Sequence, residues 1–121
     1  MVKNFRVTEI RDNSGHEHEF IGTIEGEVMG RAELIIEGKE AEFRIHLLPE
    51  YQNKGYGYEL TKHAVKEGQK YLDYIWLGFE EGNEPAKRIY EKAGFRYETY
   101  RMGIKKCFPI TKEKMKCIEW G

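Results

Sequence analysis

The sequence predicts an α/β (α+β) fold, a single domain built around a mixed sheet. Three observations lead there. The first 48 residues place apolar side chains among polar ones with the period of half-buried strands. At Tyr56 the spacing becomes helical, with Leu60, Ala64 and Gly68 four apart and Val65 beside them. Beyond that helix, Tyr71 to Phe79 is nearly continuous in apolar character, as in a strand buried on both faces and paired in parallel. One domain over residues 1–121 is expected, because two cores would each be too small to hold together.

The elements follow in order. Phe5, Val7 and Ile10 mark a first strand, closed by the turn residues Asp12-Asn13-Ser14-Gly15. A second runs from Glu17 to Glu25 and breaks at Gly26. The third, Glu27 to Ile36, sets Val28, Ala32, Leu34 and Ile36 on one side. Glu37-Gly38-Lys39-Glu40 is a tight hairpin turn. The fourth, Ala41 to Leu48, puts Phe43, Ile45 and Leu47 on one face, and Pro49 ends it because proline cannot donate to a ladder. A helix from Tyr56 to Gln69 precedes the apolar fifth strand. Asn83 caps a second helix, Pro85 suits its first turn, and Ala86, Ile89, Tyr90 and Ala93 form its stripe up to Gly94. Strands at Phe95 to Ile104 and Met115 to Trp120 complete the chain.

Composition excludes several classes. Net charge is -1 with mixed signs, so there is no footprint for nucleic acid or anionic lipid. No apolar run approaches the roughly 20 residues that span a bilayer. Residues 1–6 lack the apolar stretch of a signal peptide, and a cytoplasmic protein is the expectation. Cys107 and Cys117, on neighbouring strands, read as free thiols, with a disulfide as the alternative. His16 and His18 would share a strand face, but no third ligand is evident and no metal is expected.

Chemistry concentrates where the fourth strand meets the first helix. The loop Gln52-Asn53-Lys54-Gly55-Tyr56-Gly57 carries two glycines and opens a helix. Its N–H groups and the helix dipole attract an anion, usually phosphate or pyrophosphate. The Walker pattern is absent, and the dinucleotide pattern would need a glycine where Leu60 stands.

The loop resembles the acetyl-CoA signature of the GNAT N-acetyltransferase superfamily, [RQ]-x-x-G-x-[GA]. Ile45-His46-Leu47-Leu48-Pro49-Glu50-Tyr51 before it resembles the strand ending of that family. A second stretch, Asn83 to Phe95, matches the family pattern N-x-x-A-x-x-x-Y-x-x-x-G-F at every position. The resemblance covers residues 17 to 121, with Phe5 to Arg11 as the family's first strand. It implies a GNAT-like sheet splayed between the fourth and fifth strands, with acetyl-CoA as cosubstrate and a primary amine as acceptor. Gln52 and the backbone N–H groups of Asn53, Lys54, Gly55, Tyr56, Gly57 and Tyr58 would then hold the pyrophosphate. Ile45, His46 and Leu47 would pair with the pantetheine arm through their backbone, and Asn83 would shape the site.

Tyr90 would be the general acid. A thiol titrates near ~8.5 and a phenol near ~10, so the phenol can hydrogen-bond or protonate the departing sulfur. On an isolated helix the same tyrosine would read as core. The amine, near ~10.4, must lose a proton before it attacks. The carboxylate that some members place on the fifth strand is Gly78 here, leaving Glu80, Glu81, Glu42 and His46 as candidates. Only Asp12 to His16 stand where the family usually carries two helices. The acceptor side is therefore expected to be open, or closed by a second copy of the chain. Acceptors in view are a peptide or protein amine, a polyamine or another small amine. Glu17, Glu19, Glu25, Glu27 and Glu33 could attract a cation, or be the solvated face of strands. A CoA-binding regulatory module without transferase activity is the rival reading.

Overall fold

The computed structural model describes residues 4–78, 83–97, 102–105, 107–109 and 115–117. Strands β1 (Phe5–Arg11), β2 (Glu17–Ile24), β3 (Glu27–Glu37) and β4 (Glu40–Leu47) form an antiparallel meander. Two-residue turns join β2 to β3 and β3 to β4. Glu25 and Gly26 both have positive φ, 52° and 83°, as a hairpin turn with the native twist requires. A short 3-10 turn at Pro49–Tyr51 leads into α1 (Tyr56–Gly68). Strand β5 (Tyr74–Leu77) pairs parallel to β4, and α2 (Glu84–Ala93) follows. Strands β6 (Arg96–Tyr97) and β7 (Met102–Lys105) complete a seven-stranded sheet ordered β1-β2-β3-β4-β5-β7-β6.

Several expectations need correction. The expected strand from Phe95 to Ile104 is two, β6 and β7, paired antiparallel with each other. The last strand, β9 (Met115–Cys117), does not join the main sheet. It pairs with β8 (Cys107–Pro109), which sets Cys107 opposite Cys117 along the backbone. Strand β5 starts three residues later than expected, and Phe79 lies outside the described residues. Ile75 and Leu77 of β5 are buried while Tyr74 and Trp76 are half-buried, so one face carries most of the burial. In β3, Met29 and Gly30 are both buried and Val28 is exposed. The register explains this. Gly22 opposes Gly30 but Thr23 opposes Val28, so Met29 is an extra residue that reverses the alternation.

The core lies between α1 and one face of the sheet. Phe20, Met29, Ala32, Leu34, Phe43, Ile75 and Leu77 from the strands meet Leu60, Ala64 and Val65 from the helix. Each large apolar side chain buried here contributes about 1.5–3 kcal/mol. At its C-terminal end α1 lies close on the sheet: a Cβ on Gly68 would be 2.8 Å from Leu34 Cδ1 and 3.1 Å from Ile75 Cδ1. No helix among the described residues is long and apolar enough to cross a membrane.

One polar cluster sits at the β1 edge of this core. His18 is fully buried. Its Nδ1 lies 2.6 Å from the Tyr71 hydroxyl and its Nε2 lies 2.9 Å from Glu9 Oε1. A carboxylate only accepts, so Nε2 donates to Glu9 and Nδ1 accepts from Tyr71. Burial pushes the His18 pKa below 6.5, against the Glu9 hydrogen bond that raises it. Ile10, read as part of the half-buried pattern of this strand, is exposed, and the partly exposed Glu9 carboxylate reaches His18. His16 precedes β2, so the two histidines form no common site. Glu9, His63 and Glu67 bring ligand atoms within 4.8 Å of one another, with Glu9 and His63 already 3.4 Å apart as a hydrogen-bonded pair.

Candidate active site

The site is a product of strand divergence. Strand β4 pairs with β5 only from Glu40 to Glu42, opposite Tyr74 to Trp76. Beyond Glu42, the edge of β4 that would face β5 has no strand partner among the described residues. This is the expected splay, and it leaves N–H and C=O groups for another extended, amide-bearing chain.

The loop after β4 turns sharply into α1. Asn53 (φ 61°) and Gly55 (φ 89°) are both left-handed, and Gly55 is the N-cap of α1. The turn therefore brings backbone rather than side chain to the helix N-terminus. Gln52 acts inside the loop: its Nε2 donates to the Leu47 carbonyl at 3.1 Å, tying the loop to the end of β4. Gly57 lies close over the site. A Cβ there would be 3.3 Å from Leu47 Cδ1 and 3.4 Å from Ile89 Cδ1.

A cleft of about 330 Å³ lies along this gap on the helix side. Ile45, His46 and Leu47 of β4 form one wall, and Gln52, Asn53 and Gly57 its upper end. Asn83, Ile89 and Tyr90 close the opposite side. The cleft thus gathers most of the predicted cosubstrate residues together with Tyr90. Lys54, Gly55 and Tyr58 line a separate depression on the outer side of the loop, with Lys92. The Lys92 ammonium stands 4.4 Å from the Tyr58 ring centre. Tyr56 lines neither and packs edge-on with Tyr51, ring centres 6.0 Å apart. Asn83 is the N-cap of α2, its Oδ1 accepting from Ala86 N at 3.4 Å, so it serves the helix and the cleft together.

A second cavity, about 460 Å³, opens on the other face of the sheet. Along β4 the core side chains Ala41 and Phe43 alternate with Glu42, Arg44 and His46, which point away from α1. Arg31 and Glu33 of β3, in register with His46 and Arg44, extend this lining. Ion pairs order it: Arg44 meets Glu42 at 3.1 Å, and Arg31 meets Glu19 at 3.0 Å. Of the acidic residues expected to attract a cation, Glu33 lies in this cavity and Glu19 is paired to its rim.

Ile45, His46 and Tyr90 line both cavities. A bond made between two reactants entering from opposite faces would form beside these three. Tyr90 packs edge-on against Phe43 and Phe95, at 6.5 and 6.2 Å between ring centres. Burial raises its phenol pKa above 10.0, which keeps the proton on oxygen at neutral pH. Among the other base candidates, Glu42 is ion-paired and Glu80 and Glu81 lie outside the described residues.

Sequence patterning missed Thr61. It reads as an ordinary polar residue of α1, yet it is fully buried and lines the cleft. Its position four residues after Gly57, next to Leu60 on the inward stripe, is the signal that could have found it.

Comparisons with known proteins agree with this geometry. The profile of the Acetyltransferase (GNAT) family matches residues 3–95. The spermidine N(1)-acetyltransferase of Escherichia coli (strain K12) is 36% identical over 94 residues, which is 74% of this chain and 50% of that protein. The chain thus spans half the length of the curated relatives it matches. The spermidine N-acetyltransferase of Vibrio cholerae, solved in complex with CoA and spermine, superposes with a TM-score of 0.71 at 27% identity, covering 78% of this chain and 68% of that one. A dodecameric structure of the Vibrio cholerae enzyme in an intermediate state gives 0.71 at 28% identity, covering 78% and 67%. Both signature stretches meet in one cleft, and the profile runs through them from the first strand to Phe95: the chain belongs to the GNAT acetyltransferase family.

Proposed function

We propose that this protein transfers the acetyl group of acetyl-CoA to a primary amine, with a polyamine as the acceptor. The observation that carries the reading is the pair of cavities meeting at Tyr90 through the β4–β5 gap. The loop at Asn53 to Tyr58 would hold the pyrophosphate, and the free edge of β4 would pair with the pantetheine amides. The thioester would then lie beside Tyr90. The open-face cavity offers the Glu33 carboxylate to a cationic amine, and the two relatives described above are spermidine acetyltransferases.

Each residue then has a task. His46 lies on the acceptor side and also borders the cleft, which suits it to take the proton of the ammonium before attack. The amine lone pair adds to the thioester carbonyl, the C–S bond breaks, and the thiolate leaves. Tyr90, still protonated, donates to that sulfur, and its phenolate regains a proton from the new amide nitrogen, which must shed a second one. The short Asp12–His16 turn leaves the acceptor side open, which favours completion of the site by a second copy of the chain. The dodecameric Vibrio cholerae structure supports an assembled form.

Calorimetric titration of acetyl-CoA, followed by thiol release with spermidine, spermine and lysine peptides, tests the reading. Binding with thiol release on a polyamine is expected. Binding without release on any amine would instead favour a CoA-dependent regulatory module. Release only on lysine peptides would move the acceptor to protein amines. Light scattering at assay concentration checks for the assembly, and a strict monomer would remove it.

A further inference from the structure

We infer that Thr61 is a donor-binding residue: its side-chain hydroxyl hydrogen-bonds an amide of the pantetheine arm at the base of the cleft. The inference rests on the acetyl-CoA reading above and adds a contact that neither signature stretch contains.

Thr61 sits in the second turn of α1, on the inward stripe between Leu60 and Ala64. It is fully buried, and its Oγ1 has no hydrogen-bond partner among the described residues. A helical threonine usually turns this hydroxyl back onto the carbonyl three or four residues earlier. Thr61 does not. An unpaired buried hydroxyl is costly, whereas valine has the same shape without that cost. On stability alone a valine would serve this position better.

The surroundings say what a partner must be. Thr61 lines the same cleft as Ile45, His46 and Leu47, on the free edge of β4, one helical turn below Gly57 in the pyrophosphate loop. A chain entering from that loop and running down the gap passes the Thr61 position after its phosphates and before Tyr90. In acetyl-CoA that portion is the pantetheine arm, with two amides that each offer a donor and an acceptor. A hydroxyl can meet either. Gly57 and Ile89 beside it carry no side-chain polar atom, so a Thr61 hydroxyl turned into the cleft is the side-chain polar group that α1 would offer there.

Thr61→Val and Thr61→Ser, with two ligands on each, test this. Coenzyme A carries the arm; adenosine 3′,5′-bisphosphate carries only the nucleotide end. Thr61→Val should weaken coenzyme A binding about three- to tenfold, the worth of one hydrogen bond. It should leave the bisphosphate affinity unchanged, and Thr61→Ser should bind both ligands close to wild type. Thr61→Val binding coenzyme A as tightly as wild type would overturn the assignment. So would equal weakening of both ligands, which would mark a distorted helix start. If wild-type protein binds no coenzyme A, the functional reading itself fails, independently of Thr61.

Discussion

Gly30→Ala would show how tightly the sheet fixes the cleft wall. A Cβ at Gly30 would lie 2.4 Å from the His46 carbonyl oxygen, 2.7 Å from Leu47 Cδ2 and 2.9 Å from Leu47 Cα. Two of these are backbone atoms of a paired strand, so no rotamer change relieves the clash. Carbon contacts settle at about 3.5–4.0 Å, and β4 would have to retreat by roughly 1 Å. Overpacking costs about 1–3 kcal/mol, and a backbone clash belongs at the upper end. For a chain of this size about 3 kcal/mol corresponds to a melting point lowered by about 10 °C. The same retreat moves His46 and Leu47, so acetyl-CoA affinity should fall as well. Differential scanning calorimetry and a CoA titration read both effects. Gly78→Ala is the control, because a Cβ there meets nothing within 4 Å. A Gly30→Ala protein that melts with the wild type and binds CoA equally would refute the close-approach argument.

Tyr90→Phe should lower kcat about a hundredfold while the Kd for CoA stays near wild type, read by thiol release and calorimetry. His46→Gln should lower kcat/KM by a similar factor, read by thiol release; an unchanged kcat/KM would exclude His46 as the base. Asn83→Ala should cost α2 about 1 kcal/mol of capping, whereas Asn83→Asp should restore stability; CoA affinity lost in both variants would assign the amide to the ligand. Stability should also respond to His18. Above pH 6.5 its ring is neutral folded and unfolded, so it adds no slope. Below 6.5 the unfolded chain takes up a proton that the buried ring resists, so stability falls as pH drops toward the lower folded pKa. Urea midpoints at pH 7.5 and 5 should diverge less in His18→Gln than in wild type.

Much of this protein is written locally. The period change at Tyr56, the Asn83 cap and the Gly94 stop depend on neighbours in the chain, and the elements form where these residues put them. The family signatures are likewise contiguous, so Asn53, Gly57, Asn83 and Tyr90 could be named before any fold was known. Other features depend on residues distant in sequence. The bulge at Met29, which exposes Val28, follows from register against Gly22 and Thr23. The partly exposed Glu9 carboxylate reaches a buried His18 that is bonded also to Tyr71. The placing of β9 beside β8 is a pairing choice between strands whose local patterns look alike. The cleft belongs to the same class. Where β4 and β5 part is a property of their pairing, and only the folded chain brings Thr61, its hydroxyl unpaired, into the lining of a cleft. Sequence alone determined the first four strands, the two helices and the family they resemble, because those signals are short-range. Tertiary structure decided which side chains face one another, because burial and pairing are properties of the assembled chain.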